Sequence, residues 1–163
     1  MSESPGQSLP CVVFDCNIYL QAAASPDGPA FACMEMAERS RFILVISDDI
    51  LVEVRSILTH QAVQKKFTGL NDNVAKKFLM RVSEIAQYVS PIPAVITFSR
   101  DPKDEPYLNL ALASGASYLV TRDRDILNIA EDQAEGGLQL RQTLRGIRML
   151  DPASFLREMR SGV

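Results

Sequence analysis

DPKDEPYLNLALASGASYLVTRDRDIL, residues 101–127, sets out a helix, a strand and a run of acids in that order. The turn residues Asp101 and Pro102 give way to a helical pattern from about Asp104 to Ser114. Gly115 stands where a helix C-terminus favours glycine. Ser117–Thr121 is then a short apolar strand that runs straight into Arg122, Asp123, Arg124 and Asp125. A helix closed by glycine and followed at once by a buried strand is half of a parallel α/β unit. The strand's exit into acids is costly at the edge of a core unless something stabilises their charge.

The same arrangement recurs towards the N-terminus. CVVFDCN, residues 11–17, is a strand of type Cys11–Phe14 that ends on Asp15. A helical stretch follows around Ile18–Ala23, then a turn at Ser25–Gly28 and a helix over Ala30–Arg39. Phe42–Ile46 is a second buried strand, and Ser47 caps a helix whose first turn holds Asp48 and Asp49. Ile50, Leu51, Val54, Ile57 and Leu58 give that helix one apolar side.

Asn71–Gln87 has the spacing of a longer amphipathic helix, whereas Pro91 and Pro93 argue against a regular central strand in Tyr88–Ile96. A short helix is expected over Ile126–Ile129, and residues 131–146 read as irregular and mobile. Ile147–Leu150 is a last strand, and Asp151-Pro152 opens a helix over Ala153–Arg160. Strands alternating with helices imply a parallel sheet covered on both faces.

With 163 residues the chain is sized for one domain, expected over 11–163 behind a flexible tail of residues 1–10. A net charge of −3 supplies no global basic field, so any nucleic-acid contact must rest on local arginines or bound metal. The three cysteines form no CxxC pair and imply no disulfide framework, which suits the cytoplasm. The opening residues lack the basic start and apolar stretch of a signal peptide, and no apolar run approaches a membrane span. A single histidine, His60, argues against histidine-rich zinc chemistry.

In open parallel sheets, sites form beyond the carboxyl ends of the strands. Asp15 and the pair Asp123 and Asp125 follow strands, and Asp104 opens a helix before one. Glu53 lies on the helix after the second strand, where its side chain leans back towards the same edge. Carboxylates that converge must take up protons or share a cation. A divalent ion of the Mg²⁺ kind prefers oxygen ligands, activates water and stabilises in-line phosphoryl displacement.

VVFDCN, then SDDILVEVRSIL, then DPKDEPYLNLALASGASYLVTRDRDIL together resemble the PIN-domain nucleases over about residues 11–157. The nearest branch is that of the PIN-family toxin components of prokaryotic toxin–antitoxin systems. The resemblance implies a three-layer αβα fold with a central parallel sheet of about five strands. It implies cleavage of single-stranded RNA with Mg²⁺ or Mn²⁺, an antitoxin partner, and homodimers or higher oligomers. Asp15, Glu53, Asp104 and Asp123 match the family's acidic metal-binding cluster, with Asp125 an additional acid. Asn17, Ser47 and Thr121 match residues that line or support the pocket. The chain departs from the pattern at Cys16, where Thr, Ser or Ala is commoner, and at Arg122, which replaces the glycine of a TGD form. Residues 131–146 also form a longer stretch than usual.

Each of these residues has a plainer reading. Asp15 can simply solvate a strand end, Asp104 merely cap a helix, Asp101 belong to its turn, and Glu53 be a surface acid. Asp48 and Asp49 suit the helix dipole better than a ligand set. Arg122 and Arg124, with Arg141, Arg145 and Arg148, are either an RNA track or ordinary surface charge. Two rival functions remain open. A haloacid-dehalogenase-type phosphatase also places an Asp after its first strand, although Asn17 stands where that chemistry wants a second acid. An inactive PIN scaffold would bind RNA or protein without turnover.

Overall fold

The computed structural model describes residues 8–131 and 135–161. Five strands form one all-parallel sheet: β1 (Cys11–Phe14), β2 (Ile43–Ile46), β3 (Gln87–Tyr88), β4 (Tyr118–Val120) and β5 (Arg148–Leu150). Their order across the sheet is β3-β2-β1-β4-β5. The chain therefore builds outward from β1 to β3, then returns to β1's other side with β4. That reversal places a topological switch point between β1 and β4, where crevices open in such sheets.

Successive strand residues face opposite sides of a sheet. Val12, Val13 and Phe14 are all buried, so helices cover both faces of β1. On one side, Phe14 and Tyr118 join Tyr19, Phe42 and Phe155 in a chain of tilted and edge-to-face ring contacts. Tyr19 belongs to α1 (Cys16–Ala24) and Phe155 to α9 (Pro152–Arg160). α1 and α9 both pack on α2 (Pro29–Glu38). α6 (Glu105–Ser114) lies across β1, β2 and β4. The fold is the α/β, PIN-like arrangement that the sequence implied.

Four of the strands leave the sheet through an oxygen-bearing cap. Asp15 caps α1 after β1, and Ser47 caps α3 (Asp48–Leu58) after β2. Asp123 caps α7 (Arg124–Leu127) after β4, and Asp151 caps α9 after β5. In each case a side-chain oxygen satisfies one free N–H group of the helix start, and every such start lies at the same sheet edge.

Several boundaries differ from the sequence reading. The helix expected over Asn71–Gln87 is α5 (Asp72–Ile85), capped by Asn71. Gln87 turns into β3 instead, because Ala86 is extended and Gln87 pairs with Val45. The short helix α4 (Gln61–Lys66) begins at His60, whose Nδ1 accepts from Ala62 N, so this exposed histidine is a cap. The stretch 131–146 is not irregular throughout: α8 (Glu135–Thr143) occupies most of it, after a 3₁₀ turn at Ile129–Glu131. Residues 132–134 of that stretch, and the first seven of the expected tail, lie outside the described residues. Pro10 already belongs to the fold, its carbonyl accepting from Ile43 N at 2.9 Å.

Candidate metal centre

The site grows from β1. Asp15 is only 3% exposed, held by the strand on one side and the helix start on the other. Its Oδ1 accepts from Cys16 N at 2.7 Å, and its Oδ2 accepts from Thr121 Oγ1 at 2.8 Å. Thr121 is fully buried one residue beyond β4. Its Oγ1 also accepts from Asp123 N at 3.0 Å. One hydroxyl thus ties the exits of two adjacent strands together. Asp123 Oδ1 in turn accepts from Asp125 N at 2.8 Å.

Asp104 reaches the same place from the helix side. A 3₁₀ turn, Pro102–Asp104, is capped by Asp101 and leads directly into α6. Asp101 Oδ1 accepts from Lys103 N, as its turn reading requires. Asp104 is 5% exposed, and its Oδ2 is buried without a hydrogen-bond partner. Carboxylate oxygens of Asp15, Asp104 and Asp123 lie within 4.8 Å of one another.

Crowding of acids has an electrostatic consequence. Burial pushes the Asp15 carboxyl above its usual range, against the lowering effect of its Thr121 and Cys16 hydrogen bonds, and Asp123 pushes it further up. Burial also raises Asp104, to about 8, followed by a side-chain hydrogen bond with Asp123 and by repulsion from Asp123, Asp15 and Asp101. Such a cluster is poorly served by protein groups alone. An all-oxygen donor set with one buried, unpartnered oxygen fits a hard divalent cation, which would take Asp15, Asp104 and Asp123 as ligands.

A second group of acids, Asp101, Asp123 and Asp125, is also close enough to hold an ion and shares Asp123 with the first. Asp101 therefore lies beside Asp123 and Asp125 as well as shaping its turn. Asp125, expected as an additional acid, falls in this second group and not in the first.

Glu53 enters neither group among the described residues. It sits half-buried on α3 beside the Cys16 thiol, whose pKa is raised by burial, then by Asp15 and Glu53. Tyr107, one turn along α6 from Asp104 and 1% exposed, places its hydroxyl beside Cys16, Glu53 and Asp15 without a well-formed hydrogen bond. Tyr107 is not among the residues that the sequence singles out. The signal was its i+3 offset from Asp104, which puts both on one helix face.

The remaining residues divide. Ser47 is buried, and its Oγ accepts from Ile50 N at 3.2 Å. Asn17 is exposed on the first turn of α1. Arg122 and Arg124 are exposed on either side of Asp123. Arg148 begins β5 at the opposite end of the strand from the acids and pairs with Glu158. Arg141 donates to the Ala130 carbonyl. Those two are engaged within the protein itself.

A comparison with curated proteins gives no match. The family model of the PIN domain matches residues 11–125, which carry β1 to β4 and every acid of both groups. PIN domains are a family of nucleases that use divalent metals. With 115 of 163 residues matched, the chain belongs to the PIN-domain family.

Proposed function

We propose that residues 11–163 act as one domain that cleaves single-stranded RNA internally, with Mg²⁺ or Mn²⁺ as the cation. The observation that carries this reading is the buried, unpartnered Asp104 Oδ2 amid the oxygens of Asp15 and Asp123. When bound, a divalent cation supplies Lewis acidity at a phosphodiester and lowers the pKa of water. Asp15, Asp104 and Asp123 would hold it. Thr121 positions two of those ligands through one hydroxyl. Glu53, outside the three-acid cluster, would receive the proton of the attacking water, with the Tyr107 hydroxyl beside it. Arg122 and Arg124 bracket Asp123 and hold the phosphate backbone of the strand. Asn17 lies exposed on α1, and Ser47 supports α3.

The exposed amide of Asn17 and the family match favour the nuclease over the phosphatase alternative. A toxin role in the cytoplasm, with an antitoxin partner and a homodimer or higher oligomer, follows from the branch resemblance and belongs to the same proposal. Among the described residues, no helix is long and apolar enough to cross a membrane.

The decisive experiment incubates labelled single-stranded RNA with the protein in Mg²⁺, Mn²⁺ or EDTA, beside Asp15→Asn and Asp104→Asn. Internal cleavage is expected only with metal and intact acids. RNA binding without any cleavage would favour the inactive scaffold, and activity in EDTA would remove the mechanism.

A further inference from the structure

A cavity of about 310 Å³ opens beside the acids, lined by Ser47, Asp49, Ile92, Ile96, Glu105 and Pro106 among others. Continuing the β1–β2 register, in which Val12 pairs with Leu44, brings Asp15 abreast of Ser47. Neighbouring strands are about 4.8 Å apart. Glu105 directly follows Asp104. The cavity wall is built in advance: Asn109 Oδ1 accepts from Val95 N at 3.0 Å and Ile96 N at 2.7 Å, and its Nδ2 donates to the Ile96 carbonyl.

The lining has a split character. Ile92, Ile96 and Pro106 offer apolar surface to a flat ring, while Asp49 and Glu105 offer acceptors only. Two carboxylates repel a phosphate, so the sugar-phosphate chain stays outside. What can enter is an apolar-faced group with hydrogen-bond donors on its edge. Single-stranded RNA presents such groups as splayed bases, read on their Watson–Crick edges. Guanine alone presents two adjacent donors, N1–H and the 2-amino group, to one carboxylate. Adenine and cytosine place an acceptor beside their amino group, and uracil flanks its single N–H with two carbonyls.

We propose that this cavity receives the guanine base of a nucleotide flanking the scissile phosphodiester. The proposal rests on the nuclease reading for its substrate, and it gives the cleft a sequence preference.

The test separates the two readings. The protein is titrated without metal with the four ribonucleoside 5′-monophosphates and with ribose 5-phosphate, following backbone and Asn109 side-chain amides by NMR. GMP is expected to shift the signals of Asn109, Ile92 and Ile96 at concentrations where the other four ligands leave them unmoved. Glu105→Gln or Asp49→Asn should weaken the GMP response about tenfold. Equal shifts from all nucleotides, shifts from ribose 5-phosphate alone, or no GMP response overturn the proposal. So does a GMP response that survives both substitutions. Mapping cut sites on a random-sequence RNA then reports on cleavage separately. Cuts flanked by guanine are expected, and cuts without base preference count against the pocket while leaving the nuclease intact. A guanine-selective titration with no cleavage of any RNA overturns the nuclease reading and leaves a guanine-binding cavity.

Discussion

β1 and β5 leave the sheet in the same way, through an aspartate that caps the next helix. Asp15 Oδ1 accepts from Cys16 N, and Asp151 Oδ1 accepts from Ser154 N, both at 2.7 Å. Their electrostatics are opposite. The Ser154 backbone bond holds Asp151 below the usual carboxylate range, with Arg157 and Arg122 helping. Burial carries Asp15 above it, with Asp123 adding to the rise. Local capping chemistry is therefore not what distinguishes the site. The switch point between β1 and β4 buries one cap among other acids, while the edge strand leaves the other beside arginines.

The widest test of that contrast is activity. Asp15→Asn and Asp104→Asn are each expected to lower metal-dependent RNA cleavage by more than about 100-fold, since each removes a ligand outright. Asp151→Asn should change the rate less than about twofold, because a surface change away from such features has small effects. Initial rates on one labelled RNA compare all three. Loss of activity in the Asp151 variant equal to that of Asp15 would erase the distinction between cap and centre.

Thr121→Val is the next largest expected effect. Its hydroxyl bridges Asp15 Oδ2 and Asp123 N, so the change frees two acids while preserving shape. Mn²⁺ affinity by calorimetry should fall about 10- to 100-fold, the range for groups that orient ligands. An unchanged affinity would mean that the backbone alone places those acids.

Protons and metal compete for the same oxygens. Asp15 and Asp104 have raised pKa values, Asp104 to about 8. The folded protein therefore holds more protons than the unfolded chain between the ordinary carboxylate range and that value. Stability from these groups is fully present below the ordinary range and declines as pH rises through the raised one. Without metal, the melting temperature should fall between about pH 5 and 8. Asp104→Asn should flatten that fall and stabilise the metal-free protein at pH 7 by roughly 1–3 kcal/mol. Metal at about 100 times its Kd should add about 2.7 kcal/mol to the native protein and much less to the variant. Melts across pH, with and without Mn²⁺, read all of these. A variant less stable than the native protein without metal would deny the repulsion.

How much of this was legible in the sequence follows the range of the forces involved. Strand exits and caps are local, and VVFD and SYLVT announced them through apolar runs ending on polar residues. The convergence of Asp15, Asp104 and Asp123 was legible as a general rule for the carboxyl ends of parallel strands, whereas the strand order that sets β4 beside β1 comes from the structure. Asp101 read correctly as a turn residue, yet its place beside Asp123 and Asp125 depends on how that turn packs. Tyr107 looked like one more apolar position of α6: its offset from Asp104 marks a shared helix face, but the Cys16 and Glu53 that it meets there belong to other elements. Gln87 and α8 went astray for the same reason: weak local preference yields to strand pairing or packing.

The smallest expected effect sharpens the comparison from its other side. Asp151→Ala removes a cap whose carboxylate serves only α9 and nearby arginines. The cost should be about 1 kcal/mol, or about 2–4 °C in melting temperature for a chain of this size. A lowered pKa contributes stability above the ordinary carboxylate range that disappears as pH falls through the lowered value. The difference between native and variant melts should therefore be constant at neutral pH and close in acid. The Asp104→Asn difference runs the other way, largest at neutral to alkaline pH and closing on acidification because the native carboxyl is already neutral there. It also differs in sign, since one substitution destabilises and the other stabilises. An aspartate at a strand exit and one at a helix start giving melts displaced in opposite directions at pH 7 would show that burial among acids separates a ligand from a structural carboxylate.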